Sequence, residues 1–91
     1  MKLAVHLPSL LEASAEGRRV VEIEAETLAG ALEELFRRHP LLRRHLTDEA
    51  GDLREHVNLF LGDTNVRWIE DWNEPLRGGE DLTVLQAVSG G

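Results

Sequence analysis

The sequence predicts an α+β fold, a mixed sheet of four to five strands with one main helix packed across it. Three observations predict it. Two apolar runs with strand alternation or β-branched content precede residue 24. A single strong helical pattern follows Thr27, with Leu28, Leu32, Leu35 and Phe36 at i, i+4, i+7 and i+8. Two more apolar runs, His56 to Leu61 and Leu82 to Val88, close the chain around turn-rich connections.

The elements follow in order. From Lys2 to Leu7, Leu3, Val5 and Leu7 share one face while Lys2, Ala4 and His6 share the other, and Pro8 ends the run. Ser9 to Gly17 is expected to be a turn or loop, reversed at Glu16-Gly17. Arg18 to Ile23 is the second strand of an N-terminal hairpin. Thr27 is suited to cap the helix, since its hydroxyl can accept from a free first-turn amide. Gly30 weakens that helix slightly. His39-Pro40 ends it, because a residue before proline is pushed out of helical dihedrals, and Arg37, Arg38 and His39 suit its negative end. Leu41 to Asp48 is expected to form a short second helix and Ala50 to Glu55 a polar connection. In the His56–Leu61 strand, Val57, Leu59 and Leu61 oppose His56, Asn58 and Phe60. Gly62-Asp63 is a turn, Val66 to Ile69 a short edge strand, and Asp71 to Asp81 a loop in which Gly78-Gly79 makes a hairpin turn. One helix across one sheet buries every apolar face named, and the β-grasp is the economical arrangement of that order. Its first and last strands are typically adjacent and parallel at the sheet centre. The expected organisation is one domain over residues 1–88 and a flexible tail over 89–91.

Composition limits the chemistry. A chain of 91 residues is one domain with a modest core and little room for an enclosed active site. There is no cysteine, so disulfides, thiolate metal sites and cysteine nucleophiles are excluded. The net charge of -7 disfavours nucleic acid and anionic membrane as ligands and favours a partner with a basic docking surface. Arginine supplies all the basic residues except Lys2, leaving few sites for an isopeptide bond. No apolar stretch approaches the ~20 residues of a membrane span, and Met1 to Leu11 has a strand pattern rather than that of a signal peptide. The expected location is cytoplasmic.

The chemistry-bearing feature is the terminal Gly90-Gly91. With glycine at about 7% of residues, the pair arises by chance in about 0.5% of chains, so its weight comes from context. Only Ser89 separates it from the last strand. Three extended residues reach about 10 Å, and glycine lets such a tail enter a narrow channel. The terminal carboxyl, with a reference pKa of about 3.5, is ionised at neutral pH. It can attack the α-phosphorus of ATP to form an acyl-adenylate, and that acyl group can then receive sulfur.

Three segments carry a family resemblance: Val57-Asn58-Leu59-Phe60-Leu61, Asn65-Val66-Arg67, and Gly79-Glu80-Asp81-Leu82-Thr83-Val84-Leu85-Gln86-Ala87-Val88-Ser89-Gly90-Gly91. Together they resemble the MoaD/ThiS family of ubiquitin-like prokaryotic sulfur carriers, in particular the roughly ninety-residue branch that includes CysO-type carriers. Gln86 stands where proline is common in the family and Ser89 where alanine is common; neither change touches the diglycine. The resemblance implies a carrier rather than an enzyme. An ATP-dependent adenylating enzyme would activate Gly91, a persulfide donor would supply sulfur, and the Gly91 thiocarboxylate would deliver it to a biosynthetic enzyme for cysteine, molybdopterin, thiamin or a secondary metabolite. No cofactor would be bound by the chain itself; ATP would be used by the activating enzyme. The alternatives are the small subunit of molybdopterin synthase, a β-grasp interaction module with an inert tail, and a protein modifier joined through Gly91 to target lysines.

Alternation also places Phe60 and Leu85 away from the helix. On neighbouring strands they would form an exposed apolar patch, the face that meets the activating enzyme in ubiquitin-like carriers. Ser89 and Gly90 would then be the tail that inserts. Trp68 and Trp72 are expected to cap the core edge. His6, His39, His45 and His56 lack zinc-like spacing, so no metal site is expected. Arg37-Arg38 and Arg43-Arg44 lie among Glu33, Glu34, Asp48 and Glu49 and are expected to form a salt-bridged surface.

Overall fold

The computed structural model describes residues 1–86, and of Gln86 the backbone only. Strand β1 (Lys2–His6) is followed by a 3-10 segment (Ser9–Ala15), β2 (Val20–Glu24), α1 (Leu28–Arg38), α2 (Pro40–Leu46), β3 (Val57–Leu61), β4 (Thr64–Asn65), a second 3-10 segment (Val66–Trp68) and β5 (Leu82–Gln86). The five strands form one sheet in the order β2-β1-β5-β3-β4. β1 and β5 run parallel, with Val5 opposite Leu82, and the other pairings are antiparallel. This is the β-grasp arrangement, with the first and last strands side by side at the centre.

Alternation decides which face is buried. Leu3, Val5, Val21, Ile23, Val57, Leu59, Leu82 and Val84 all point to one side. Helix α1 covers them with Leu28, Ala31, Leu32 and Leu35, and Leu42 and Leu46 of α2 complete the same core. Burying each such aliphatic side chain stabilises the fold by roughly 1.5–3 kcal/mol relative to exposure. The Thr27 hydroxyl accepts from the Gly30 amide at 3.0 Å and so caps α1. At its other end His39 leaves helical dihedrals (φ -132, ψ 78), and Pro40 opens α2, where its missing N–H costs nothing.

Several expectations need correction. Ser9–Ala15 is not an open loop but a 3-10 segment that buries Leu11 and Ala15. The reversal does fall at Glu16-Gly17, both at positive φ. β1 stops at His6, and β2 starts at Val20 and runs to Glu24. The edge strand is Thr64–Asn65, whereas Val66–Trp68 turns. The turn has a local cause: the Asn65 side chain accepts from the Arg67 amide at 2.9 Å and diverts the backbone from the ladder. Gly62 (φ 60) does make the β3–β4 turn. Gly78 and Gly79, both at positive φ, bend the loop into β5 rather than closing a hairpin between two strands.

The tryptophans divide. Trp72 packs half-buried against the core, its Nε1 donating to the carbonyls of Val66 (3.2 Å) and Ile69 (3.1 Å). Trp68 does not cap the core edge; it lies on the outer side of the turn, 77% exposed. The arginine pairs divide as well. Arg37 and Arg38 both bind Glu34, at 2.6 and 2.9 Å. Their hydrogen bonds, that of Arg37 foremost, hold the Glu34 carboxyl below its usual range. Arg43 and Arg44 form no ion pair among the described residues; the Arg44 carbonyl instead accepts from Arg54.

Candidate functional site

β5 is the middle strand of the sheet, hydrogen-bonded to β1 on one side and β3 on the other. β1 flanks β5 only at Leu82 and Thr83, and Val84 to Gln86 pair with β3 alone, Gln86 opposite Val57. Leu82 and Val84 anchor the strand in the core, so Thr83 and Leu85 face the side opposite the helices. Ser89, Gly90 and Gly91, expected to be the reactive tail, lie outside the described residues, as do Ala87 and Val88 of the expected strand.

The β3–β5 register pairs Phe60 with Thr83 and Asn58 with Leu85. Phe60 and Leu85 are thus diagonal neighbours on the open face, a relation that puts their Cβ atoms about 7 Å apart. Leu85 is 49% exposed, and Phe60 is partly covered. A single row crosses all five strands at this level: Val20, His6, Thr83, Phe60 and Asn65. Val20, itself 46% exposed, extends the apolar character toward the far edge. The Asn65 side chain reaches Asn58 at 3.5 Å on the other side.

One part of this face was not anticipated. His6 and Asp81 form a pair across β1 and the start of β5, with Nε2 and Oδ2 3.2 Å apart. The other Asp81 oxygen accepts from the Ala4 amide at 3.1 Å. The Ala4 hydrogen bond and, beside it, the His6 side chain hold the Asp81 carboxyl below the usual carboxylate range. The signal was present in the alternation, which puts His6 on the open face. The 75 positions separating His6 from Asp81 hid the pairing from local spacing.

The arrangement offers an apolar contact surface. Among the described residues no group of three His, Asp or Glu side chains is placed to hold a metal ion. Neither of two surface concavities includes Phe60 or Leu85: one runs along β2 beside Arg38 and His39 and reaches Val20, the other lies on the helix side between Leu32, Phe36, Leu53 and Trp72. No helix is long and apolar enough to cross a membrane.

These features define a small β-grasp protein that presents an apolar sheet face beside the root of its terminal segment. The chain belongs to the ThiS family, whose model matches residues 7–91. It is similar to the sulfur carrier protein CysO of Mycobacterium tuberculosis and of Mycobacterium bovis, 27% identical over 93 residues that cover all of both chains. Among solved structures it resembles a chain of the Amycolatopsis orientalis BexX/CysO complex, with a TM-score of 0.82 and 27% identity over 98% of this chain and 99% of that one. It likewise resembles SAMP1 from Haloferax volcanii, with a TM-score of 0.81 and 26% identity over the whole of both chains, and M. tuberculosis CysO, with a TM-score of 0.81 and 25% identity over 94% and 99%.

Proposed function

We propose that the chain is a sulfur carrier whose working group is the Gly91 carboxylate. The observation that carries this reading is the placement of β5. It is the central strand, and the sequence runs from it through Ala87, Val88 and Ser89 to Gly90-Gly91. Family membership and the sulfur-carrier relatives support it.

An adenylating enzyme docks on the open sheet face around Phe60 and Leu85, and Ser89-Gly90-Gly91 threads into its active site. The carboxylate oxygen attacks the α-phosphorus of ATP and pyrophosphate leaves. A sulfur nucleophile then attacks the acyl carbon, AMP leaves, and a thiocarboxylate remains. That group passes its sulfur to a biosynthetic enzyme, the chain acting as co-substrate rather than catalyst. The complex of an A. orientalis CysO with BexX supports a carrier that docks on a partner protein. The cysteine-free composition agrees with sulfur being carried on the terminus.

Mass spectrometry after incubation with an adenylating enzyme competent on a related carrier, ATP and hydrosulfide tests the reading. A gain of about 16 Da, the exchange of oxygen for sulfur, is expected. An unchanged mass beside a converted control carrier refutes it.

A further inference from the structure

The two edges of the sheet differ. β4 has only two residues, and the chain turns away after Asn65, so that edge offers almost no ladder. β2 has five residues, and among the described residues no strand lies on its outer side. The register shows which of its backbone groups face outward. The Leu7 amide donates to the Arg19 carbonyl at 2.7 Å and the Ala25 amide to the Met1 carbonyl at 3.0 Å, so residues 19, 21, 23 and 25 bond toward β1. In an antiparallel pair the residues between them turn their N–H and C=O away from the partner strand. Val20, Glu22 and Glu24 therefore aim both groups outward.

One side chain touches this row. The Arg38 guanidinium of α1 donates to the Glu22 carbonyl at 2.9 Å, and that oxygen keeps a second lone pair for another donor. A concavity of about 780 Å³ runs along the strand, lined by Val20 to Glu24 and, from the end of α1, by Arg38 and His39. The chain itself closes the edge just beyond: the Glu26 carbonyl accepts from the Leu76 amide at 2.8 Å, and Thr27 bridges Pro75. The open stretch is thus one short strand in length. A row of outward N–H and C=O groups of this kind is a template for another strand.

The side chains select the occupant. On the open face Val20, Glu22 and Glu24 follow one another along the edge, all exposed. Glu22 stands across from Ala4, and Glu24 across from Lys2 without an ion pair among the described residues. A second copy of β2 fits badly. In antiparallel register about Glu22 it would set Glu22 against Glu22, and in parallel register each glutamate against its copy, and like charges directly opposite are destabilising. A strand with basic side chains at alternate positions meets Glu22 and Glu24 with opposite charge, and the net charge of -7 attracts it.

We propose that β2 accepts an extended segment of a partner protein as a further, antiparallel strand, a segment in which basic and apolar side chains alternate. The site is separate from the Phe60–Leu85 patch and does not depend on chemistry at Gly91. Main-chain hydrogen bonds to Val20, Glu22 and Glu24 supply the affinity. The two glutamates fix the register, since a slip of one residue turns every basic side chain to the helix side. The apolar side chains extend the core layer beside Val21 and Ile23.

The test titrates the nitrogen-15-labelled full chain with an end-capped heptapeptide of alternating valine and lysine. Saturable shifts are expected at the Val20, Glu22 and Glu24 amides, with hydrogen exchange there slowed at least about tenfold. A heptapeptide of alternating valine and glutamate should bind at least about tenfold more weakly, and a chain carrying both Glu22→Lys and Glu24→Lys should reverse that order. In the antiparallel pairing the peptide's lysine amides face β2 and its valine amides face solvent. Methylating the lysine amide nitrogens should therefore weaken binding at least about tenfold, and methylating those of valine should leave it within about twofold. Equal binding by both methylated peptides would overturn the proposal, because charge alone would then account for the contact. So would the lack of saturable shifts, or shifts centred on Phe60 and Leu85. A dimer of the free chain in sedimentation, with the Val20, Glu22 and Glu24 amides protected, would overturn it in favour of a second copy.

Discussion

The Asp81 carboxylate holds the Ala4 amide at a level of the sheet that β5 has not yet reached. The Ala4 N–H points toward β5, whose backbone joins β1 only from Leu82 opposite Val5. Asp81 supplies the missing acceptor, so the parallel pair begins with a side chain in place of a main-chain partner. Asp81→Ala removes that acceptor and the His6 contact together. Because both side chains are about half exposed, the expected loss is about 1 kcal/mol or less. The sign with pH follows from the depressed carboxyl pKa. The contribution is fully present above the unfolded value near 3.9 and is lost as pH falls through the lower folded value. Urea midpoints of the two proteins should therefore differ at pH 6 and converge toward pH 3.

Leu85 tests the docking face. Its side chain is 49% exposed, so Leu85→Asp should leave thermal stability within about 0.5 kcal/mol of wild type. In pyrophosphate exchange with an adenylating partner, kcat/KM should fall at least about tenfold, the cost of placing a charge in an apolar contact. An unaltered kcat/KM would remove Leu85 from the interface.

The cap of α1 makes a non-additive prediction. Thr27→Ala should cost about 1 kcal/mol. A Cβ on Gly30 would lie 3.1 Å from the Thr27 hydroxyl oxygen. Gly30→Ala should therefore fall short of the ~1 kcal/mol gain its helix propensity promises. With Ala at position 27 the obstruction is gone, and the same substitution should deliver most of that gain. A double-mutant cycle by urea unfolding measures the difference.

The core prediction is the largest in size. Leu59 is 1% exposed between β5 and the helices. Leu59→Ala should cost 2–5 kcal/mol through lost burial and the cavity it leaves, roughly. Calorimetry should show the transition well below that of the wild type.

Periodicity made the core legible. Every residue assigned to the helix-facing side of β1, β3 and β5 that the structure describes is buried, and α1 begins and ends where Thr27 and His39-Pro40 place it. Periodicity failed where a side chain competes with the ladder. Val66 to Ile69 has strand composition, yet the Asn65 carboxamide turns it. It also failed where elements are short: the 3-10 segment of Ser9–Ala15 buries only Leu11 and Ala15, too few for a pattern. At the candidate site, Phe60 and Leu85 followed from alternation plus the guess that their strands are neighbours. The His6–Asp81 pair needed the β1–β5 register, a long-range fact that no window of sequence contains.

The centrality of β5 has a consequence for how the protein is made. Ala4 and Asp81 lie 77 positions apart, and the strand between β1 and β3 is the last described element of the chain. Until it is synthesised, the β1–β2 hairpin and the β3–β4 hairpin have no common neighbour, and each exposes an unpaired inner edge. Such long-range closure is slow compared with helix formation. A nascent or truncated chain lacking these last residues would thus remain an open pair of hairpins exposed to proteolysis and aggregation. Completion of the sheet therefore waits on β5, which makes its short span of sequence the step that joins the two hairpins.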